Sequence, residues 1–330
     1  MDVQWHIAFC NVTYTEYART TYRDYYASPA HMLEVQLAAK AIAEARFGVG
    51  CFISPHVDGP AAAFASYLGM PVVEPRVDEL SYVDTQAPVL RAPADVRRLR
   101  WRDPRTAGLM AKRWECWQYY RSRGHDVRLG GHGGSILTTA HELSAGDILL
   151  WLVEQPDEAG SVLDAVTDAD LALRDLDESL CGPTDAAYTG DDFAGLISPA
   201  MFRRFAIPRY ERIYGARRDR FMHSELLRAE HLRCARDMLQ ITCFHGAGCE
   251  HLTPAEMHEI MGHAFWVQVT PQQLLEMSPA AIVEIVKRHA HSGAGYLQLY
   301  PGRGTPDQNL QAAIAAADRE CAGGRVVEYL

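Results

Sequence analysis

The sequence predicts an α/β protein, a single (β/α)₈ barrel over residues 1–330 with an excursion at about 70–105. Three observations predict it. Short apolar runs closed by Gly or polar residues alternate with longer segments of helical period along the whole chain, which implies a parallel sheet. Eight such runs can be counted, the number that closes a barrel. The turn after the first run, Cys10-Asn11-Val12-Thr13, lacks the glycines that an open dinucleotide-binding sheet would want.

The runs are Val3–Cys10, Val49–Ser54, Asp126–Gly130, Ala186–Thr189, Arg220–His223, Ile241–Phe244, Ala264–Val267 and Gly295–Leu299. Between them the helices declare their ends. Ser28-Pro29 opens Ala30–Phe47 and Gly48 closes it, because Ser caps well and Pro suits a first turn. Ser198-Pro199 opens Ala200–Tyr214 before Gly215, Thr253-Pro254 opens Ala255–Met261 before Gly262, and Ser278-Pro279 opens Ala280–His291 before Gly293. The Pro-rich stretch from Met70 to Arg105 reads as the excursion. No repeat, low-complexity tract or linker divides the chain.

A 48% hydrophobic share with 22% charged residues permits a large core. Lys plus Arg number 32 against 42 Asp plus Glu, a net charge of −10 that argues against nucleic acid or an anionic membrane as partner. The basic clusters Arg97–Arg102 and Arg217–Arg220 read as solvated faces. No window approaches a membrane span and no leader pattern opens the chain. The eight Cys are scattered, and Cys10, Cys51, Cys116 and Cys243 lie in apolar segments, which fits a reducing cytoplasm.

In such a barrel the site lies at the C-terminal ends of the strands. Following the runs in order gives Asn11, then His56 and Asp58, then His132 among glycines, then Asp191 and Asp192. The later runs give His223 and Glu225, His245 and Cys249, Gln268 with Thr270, and finally Arg303. Their convergence on one mouth predicts an enzyme, with Asn11, His56, Asp58, His132 and Gln268 as substrate contacts. Asp191 or Asp192 could instead cap a turn, and Gly130–Gly134 could be a loop or cradle an anion. Most of the fourteen His must be structural, His31, His258 and His289 among them.

His223-x-Glu225 is more specific, since side chains two apart leave a strand on one face. An imidazole and a carboxylate there can bind metal together or form an acid/base pair. With His245 and Cys249 from the next run, the set His223, Glu225, His245 and Cys249 would suit a catalytic zinc with an open position.

Tyr188-Thr-Gly-Asp-Asp192-Phe-Ala-Gly-Leu-Ile-Ser198-Pro-Ala-Met-Phe202 with Ile207-Pro208 resembles the uroporphyrinogen decarboxylase superfamily. So do Gly133–Gly146, Leu252–Gly262 and the Pro301–Asn309 ending, in the right order over essentially the whole chain. The resemblance implies a barrel of that type and two possible chemistries. Decarboxylases of the family grip a tetrapyrrole's carboxylates with an Arg-bearing N-terminal segment, which Gln4–Tyr26 does not reproduce, and Asp58 does not align cleanly with their Asp. The other branch comprises corrinoid-linked methyltransferases, which bind zinc through a His-x-Cys pair and a later Cys. Here His223-Ser224-Glu225 stands at the pair and Arg303 near the later Cys. The resemblance therefore implies a zinc-dependent methyltransferase using a corrinoid donor or corrinoid protein, with His223, Glu225, Asp192 and Arg303 catalytic. The alternatives are a cofactor-free decarboxylase acting on a small acid, with Arg303 receiving the anion, and a non-catalytic corrinoid or tetrapyrrole binder. A homodimer is the implied assembly.

Overall fold

A computed structural model of the chain describes residues 2–74, 78–99 and 102–327. Its strands are β1 (Gln4–Ile7), β2 (Val72–Val73), β3 (Tyr82–Val83), β4 (Ala186–Gly190), β5 (Asp219–His223), β6 (Cys243–His245), β7 (Phe265–Val269), β8 (Tyr296–Leu299) and β9 (Gly324–Arg325). By packing, the chain divides into two compact units. Unit one comprises Met1–Thr21, Met32–Ser54 and Phe221–Leu330, and unit two comprises Tyr22–His31 and Pro55–Arg220.

In unit one, β5 pairs with β6, β6 with β7, β7 with β8, β8 with β1 and β1 with β9, every pair parallel. One face is apolar: Trp5, Ile7, Phe244, Phe265, Val267, Val269, Leu297 and Leu299 are all fully buried or nearly so. The helices of this unit begin as expected. Thr253 accepts from the Glu256 amide while Glu256 reaches back, and Ser278 accepts from the Ala281 amide. A further helix, Pro271–Glu276, starts the same way at Thr270.

Unit two is helical around Pro156–Cys181, whose face Ala159, Val162, Leu163, Val166, Ala169 and Leu173 is fully buried. The helix expected over Ala200–Tyr214 runs from Pro199 to Tyr214 with a π turn at Phe202–Ala206. That turn stands just before Pro208, which lacks the N–H to continue an α ladder. The excursion contains the antiparallel pair β2–β3 and a 3₁₀ turn at Pro93–Arg98. Arg100 and Trp101 of the first basic cluster lie outside the described residues. Arg98 pairs with Asp95 three residues away, whereas Arg217 and Arg218 pair with the sequence-distant Glu178 and Asp185.

Two expected strands differ. Val49–Ser54 carries a 3₁₀ turn at Gly50–Phe52, and 126–130 has no regular element. In the second segment side chains take the place of a ladder. Trp117 Nε1 donates to the Val127 carbonyl at 3.2 Å and Arg113 Nη2 to the Leu129 carbonyl at 2.9 Å. The Asp177 carboxylate accepts from the Leu129 amide at 2.8 Å and the Gly130 amide at 3.2 Å. Asp170, seven residues earlier on the same helix face, accepts from Gly133 and Gly134 at 3.0 and 3.1 Å. The anions that this glycine-rich loop cradles are thus carboxylates of the chain itself.

Asp177 is the keystone of that arrangement, its side chain being 1% exposed. Burial would raise its pKa, but hydrogen bonds from His132, Gly130 and Arg128 outweigh burial and hold it well below the ordinary value of 3.8. Asp177→Ala strands two amides and a guanidinium, and should cost about 3–5 kcal/mol in urea unfolding. Because folding lowers this pKa, the contribution is complete above the ordinary aspartate range and is lost as pH falls below it. The variant should therefore show a shallower acid limb than the wild type below about pH 4, and equal limbs would refute the assignment.

Candidate functional site

Parallel register decides which side chains share the remaining face of the unit-one sheet. His223 pairs with His245, His245 with Trp266, Gln268 with Gln298, and Gln298 with His6. Residues directly opposite point to the same side, and so do Trp266 and Gln268, two apart on one strand. One face therefore carries His6, Gln298, Gln268, Trp266, His245 and His223 near the C-terminal ends of the strands. Polar side chains here sit inside otherwise apolar runs, the opposite of what a closed core wants.

The contacts are continuous. His223 Nδ1 lies 2.8 Å from His245 Nδ1 and 3.0 Å from the His245 carbonyl oxygen. His245 Nε2 lies 3.2 Å from Gln298 Oε1, which also accepts from Gln268 Nε2 at 2.6 Å. One placement of hydrogens satisfies all four contacts. His223 carries its proton on Nδ1 and shares it between the carbonyl and His245 Nδ1, and His245 carries its proton on Nε2 and donates it to Gln298. In that placement the ring lone pair of His223 is on Nε2.

Burial, with His223 beside it, pushes the His245 imidazole down to about 3, against the hydrogen bond to Gln298 that favours charge. His6, whose Nδ1 donates to the Val326 carbonyl at 3.0 Å, is pushed down by burial to about 4. Trp266 stacks on Tyr296 at 4.6 Å and stands 5.9 Å from the His245 ring, closing the floor.

Glu225 is exposed on the loop after β5. Its carboxylate packs on Gly248, where a Cβ would stand 3.0 Å from Oε1, so the missing side chain makes room for it. Cys249 Sγ donates to the Leu227 carbonyl at 3.4 Å. The four expected metal donors therefore come from two adjacent loops and strand ends, but they are not gathered. Among the described residues no three His, Cys, Asp or Glu side chains converge as a metal site. The fit of zinc to this arrangement is partial. His245 Nδ1 offers the lone pair that ligation needs, but the facing His223 Nδ1 carries the shared proton. A tetrahedral ion with Zn–N of about 2.0–2.1 Å would hold the two nitrogens roughly 3.3 Å apart rather than at 2.8 Å.

Arg303, exposed in the turn after β8, reaches Thr15 Oγ1 with Nη2 at 3.4 Å. Thr15 in turn donates to the carbonyl of Asn11, which opens the helix Asn11–Tyr17. Unit one thus holds His223, Glu225, His245, Cys249, Gln268, Asn11 and Arg303. The other expected residues belong to unit two. His56 is exposed, and Asp58 accepts from Tyr25 and Tyr26 at 3.1 and 3.2 Å and from the Gly59 amide at 2.7 Å. His132 Nε2 lies 3.6 Å from Asp177, and Asp192 opens the turn Asp192–Leu196. Asp191 does cap a helix, though not the one following it: it accepts from the Leu137 and Thr138 amides at 2.7 and 2.9 Å. Gln298 and His6 were not among the expected site residues, although a lone polar residue on an apolar strand marks both.

The Gln298 contact can be measured. Imidazole NMR titration should find His245 as the Nε2–H tautomer with no inflection between about pH 5 and 8. Gln298→Glu, which puts a carboxylate where the amide oxygen was, should raise the His245 pKa by at least about one unit. An ordinary titration of His245 in the wild type would rule out a buried neutral His245.

Comparison with known proteins places this geometry in context. A family model described as uroporphyrinogen decarboxylase (URO-D) matches residues 9–300. No curated protein sequence matches the chain. Among solved structures, a methyltransferase from Methanosarcina mazei superposes with a TM-score of 0.73 at 16% identity, covering 96% of this chain and 94% of that one. At that identity the likeness establishes the fold, the α/β barrel of the URO-D type expected from the sequence.

Proposed function

The chain belongs to the uroporphyrinogen decarboxylase family, and we propose that within it this protein is a small-molecule methyltransferase of the corrinoid-linked kind. The carrying observation is the His223–His245 pair, two imidazoles joined Nδ1 to Nδ1 at the ends of adjacent strands. The likeness to a methyltransferase over nearly the full chain supports the same reading. His223 Nε2 takes the proton from the acceptor's thiol or hydroxyl as that group becomes nucleophilic. The positive charge then left on His223 is spread through Nδ1–H to the lone pair of His245, whose orientation Gln298 and Gln268 hold. Arg303 offers a cation to an acidic part of the substrate. Zinc, where bound, would supply Lewis acidity to the acceptor, with His223 and His245 as nitrogen donors and Glu225 and Cys249 as the nearest candidates to complete the set.

A second reading keeps the same pair without metal. The direct hydrogen bond between the imidazoles favours it, since His223 can then serve as the acid/base of a decarboxylase with Arg303 on the carboxylate. Two measurements separate the readings. Protein purified without chelator should carry about one zinc per chain, lost in both His223→Ala and His245→Ala. Turnover of methylcobalamin with 2-mercaptoethanol, followed by the change in cobalt absorbance, should fall about 10²–10⁴-fold in His223→Ala. A metal-free wild type that releases CO₂ from small acids in the presence of chelator would replace the first reading with the second.

A further inference from the structure

Unit two holds a partly open cavity of about 280 Å³ whose residues take no part in the reaction proposed above. Its lining combines apolar side chains, Pro60, Ala61 and Phe64, with the ionisable Arg113, His132 and Glu142. Arg113 is the key member. Nη2 is committed to the carbonyls of Val57 and Leu129 at 3.0 and 2.9 Å. Nε is buried without a partner, and Nη1 has none among the described residues. Nη1 lies against Gly59, where a Cβ would come within 2.6 Å. The nearby Asp58 spends its carboxylate on two tyrosine hydroxyls and the Gly59 amide, and makes no ion pair with Arg113. A guanidinium held by carbonyls alone, facing a cavity, is a positive charge with donors to spare.

Asp58 and Asp177 act on that charge through space, but neither carboxylate accepts a hydrogen bond from Arg113. His132 is engaged with Asp177 at 3.6 Å. Burial pushes the Glu142 carboxyl up to about 7, so near neutral pH it can carry a proton and donate. We propose that this cavity is a ligand site for a small carboxylic acid with an apolar body. The carboxylate accepts from Arg113 and from the protonated Glu142, and the body lies against Phe64, Ala61 and Pro60. The site rests on unit-two residues alone and goes beyond the methyl-transfer reading, which can fail without it.

Benzoate is a suitable probe, with benzamide as its uncharged analogue, both titrated calorimetrically into the full-length protein. Benzoate should bind saturably, and benzamide at least about tenfold more weakly. Arg113→Gln and Ala61→Phe should each weaken benzoate binding by at least about tenfold, the first by removing the charge and the second by filling the cavity. Ala61→Phe leaves the contacts of Arg113 with Val57 and Leu129 in place, so it remains informative should Arg113→Gln fail to fold by circular dichroism. Glu142→Gln should retain binding, and His223→Ala should leave it unchanged, which separates this site from the imidazole pair. No saturable heat with benzoate up to about 10 mM, or binding that survives Ala61→Phe, overturns the proposal.

Discussion

A parallel ladder gives each side chain a face and no choice about it, and that constraint organises the chemistry of this protein. Because His223 stands opposite His245, and His6 opposite Gln298 opposite Gln268, the polar residues of β1 and β5 to β8 reach one side of the sheet together. A slip of one residue in any strand would send its polar residue into the apolar layer of Trp5, Phe244, Val267 and Leu297. Each such residue would then lose its hydrogen bonds inside a close-packed layer, at about 1–3 kcal/mol apiece. The apolar face thereby enforces the register on which the imidazole pair depends.

Unit two solves a different problem with a different device. Its glycine-rich loop has backbone amides and carbonyls that a strand would have satisfied by pairing. Helix Pro156–Cys181 meets the amides with Asp170 and Asp177, and helix Gly108–Ser122 meets the carbonyls with Arg113 and Trp117. Charged side chains are costly to bury, so each is matched to several partners at once. The same economy leaves Arg113 with unmatched donors beside a cavity, which is where its charge becomes available to something other than the fold.

Much of this was legible in the sequence because the signals were local. Ser or Thr followed by Pro marked helix starts to within a residue, and the glycines after Phe47, Tyr214 and Met261 adopt the positive φ expected of a stop. Most apolar strands were equally plain, although the apolar run Val49–Ser54 carries a 3₁₀ turn instead. Segment 126–130 was not, because its hydrogen bonds go to side chains more than forty residues distant in the case of Asp177, and no composition rule encodes that. The site was half visible. His223, His245 and Gln268 follow or end apolar runs and could be read as mouth residues, whereas Gln298 and His6 lie within runs and emerge only once register is known. Glu225 and Cys249 sat at the right spacing, but where their side chains go depends on Gly248 and the Leu227 carbonyl.

The burial that keeps His245 neutral matters to either chemistry proposed for the pair. A lone pair on nitrogen is the common requirement of a metal ligand and of a general base, and protonation removes both. His245, pushed down to about 3, keeps its Nδ1 lone pair across the physiological range. His223 can therefore lean on a partner that does not compete for protons. Were His245 solvated, it would titrate near 6.5 and, once charged, would lose the lone pair that accepts from His223. Desolvation by Trp266 and the surrounding strands thus does more than tolerate two histidines in a barrel interior. It removes the charged state of His245 and so preserves the acceptor on which His223 Nδ1 rests.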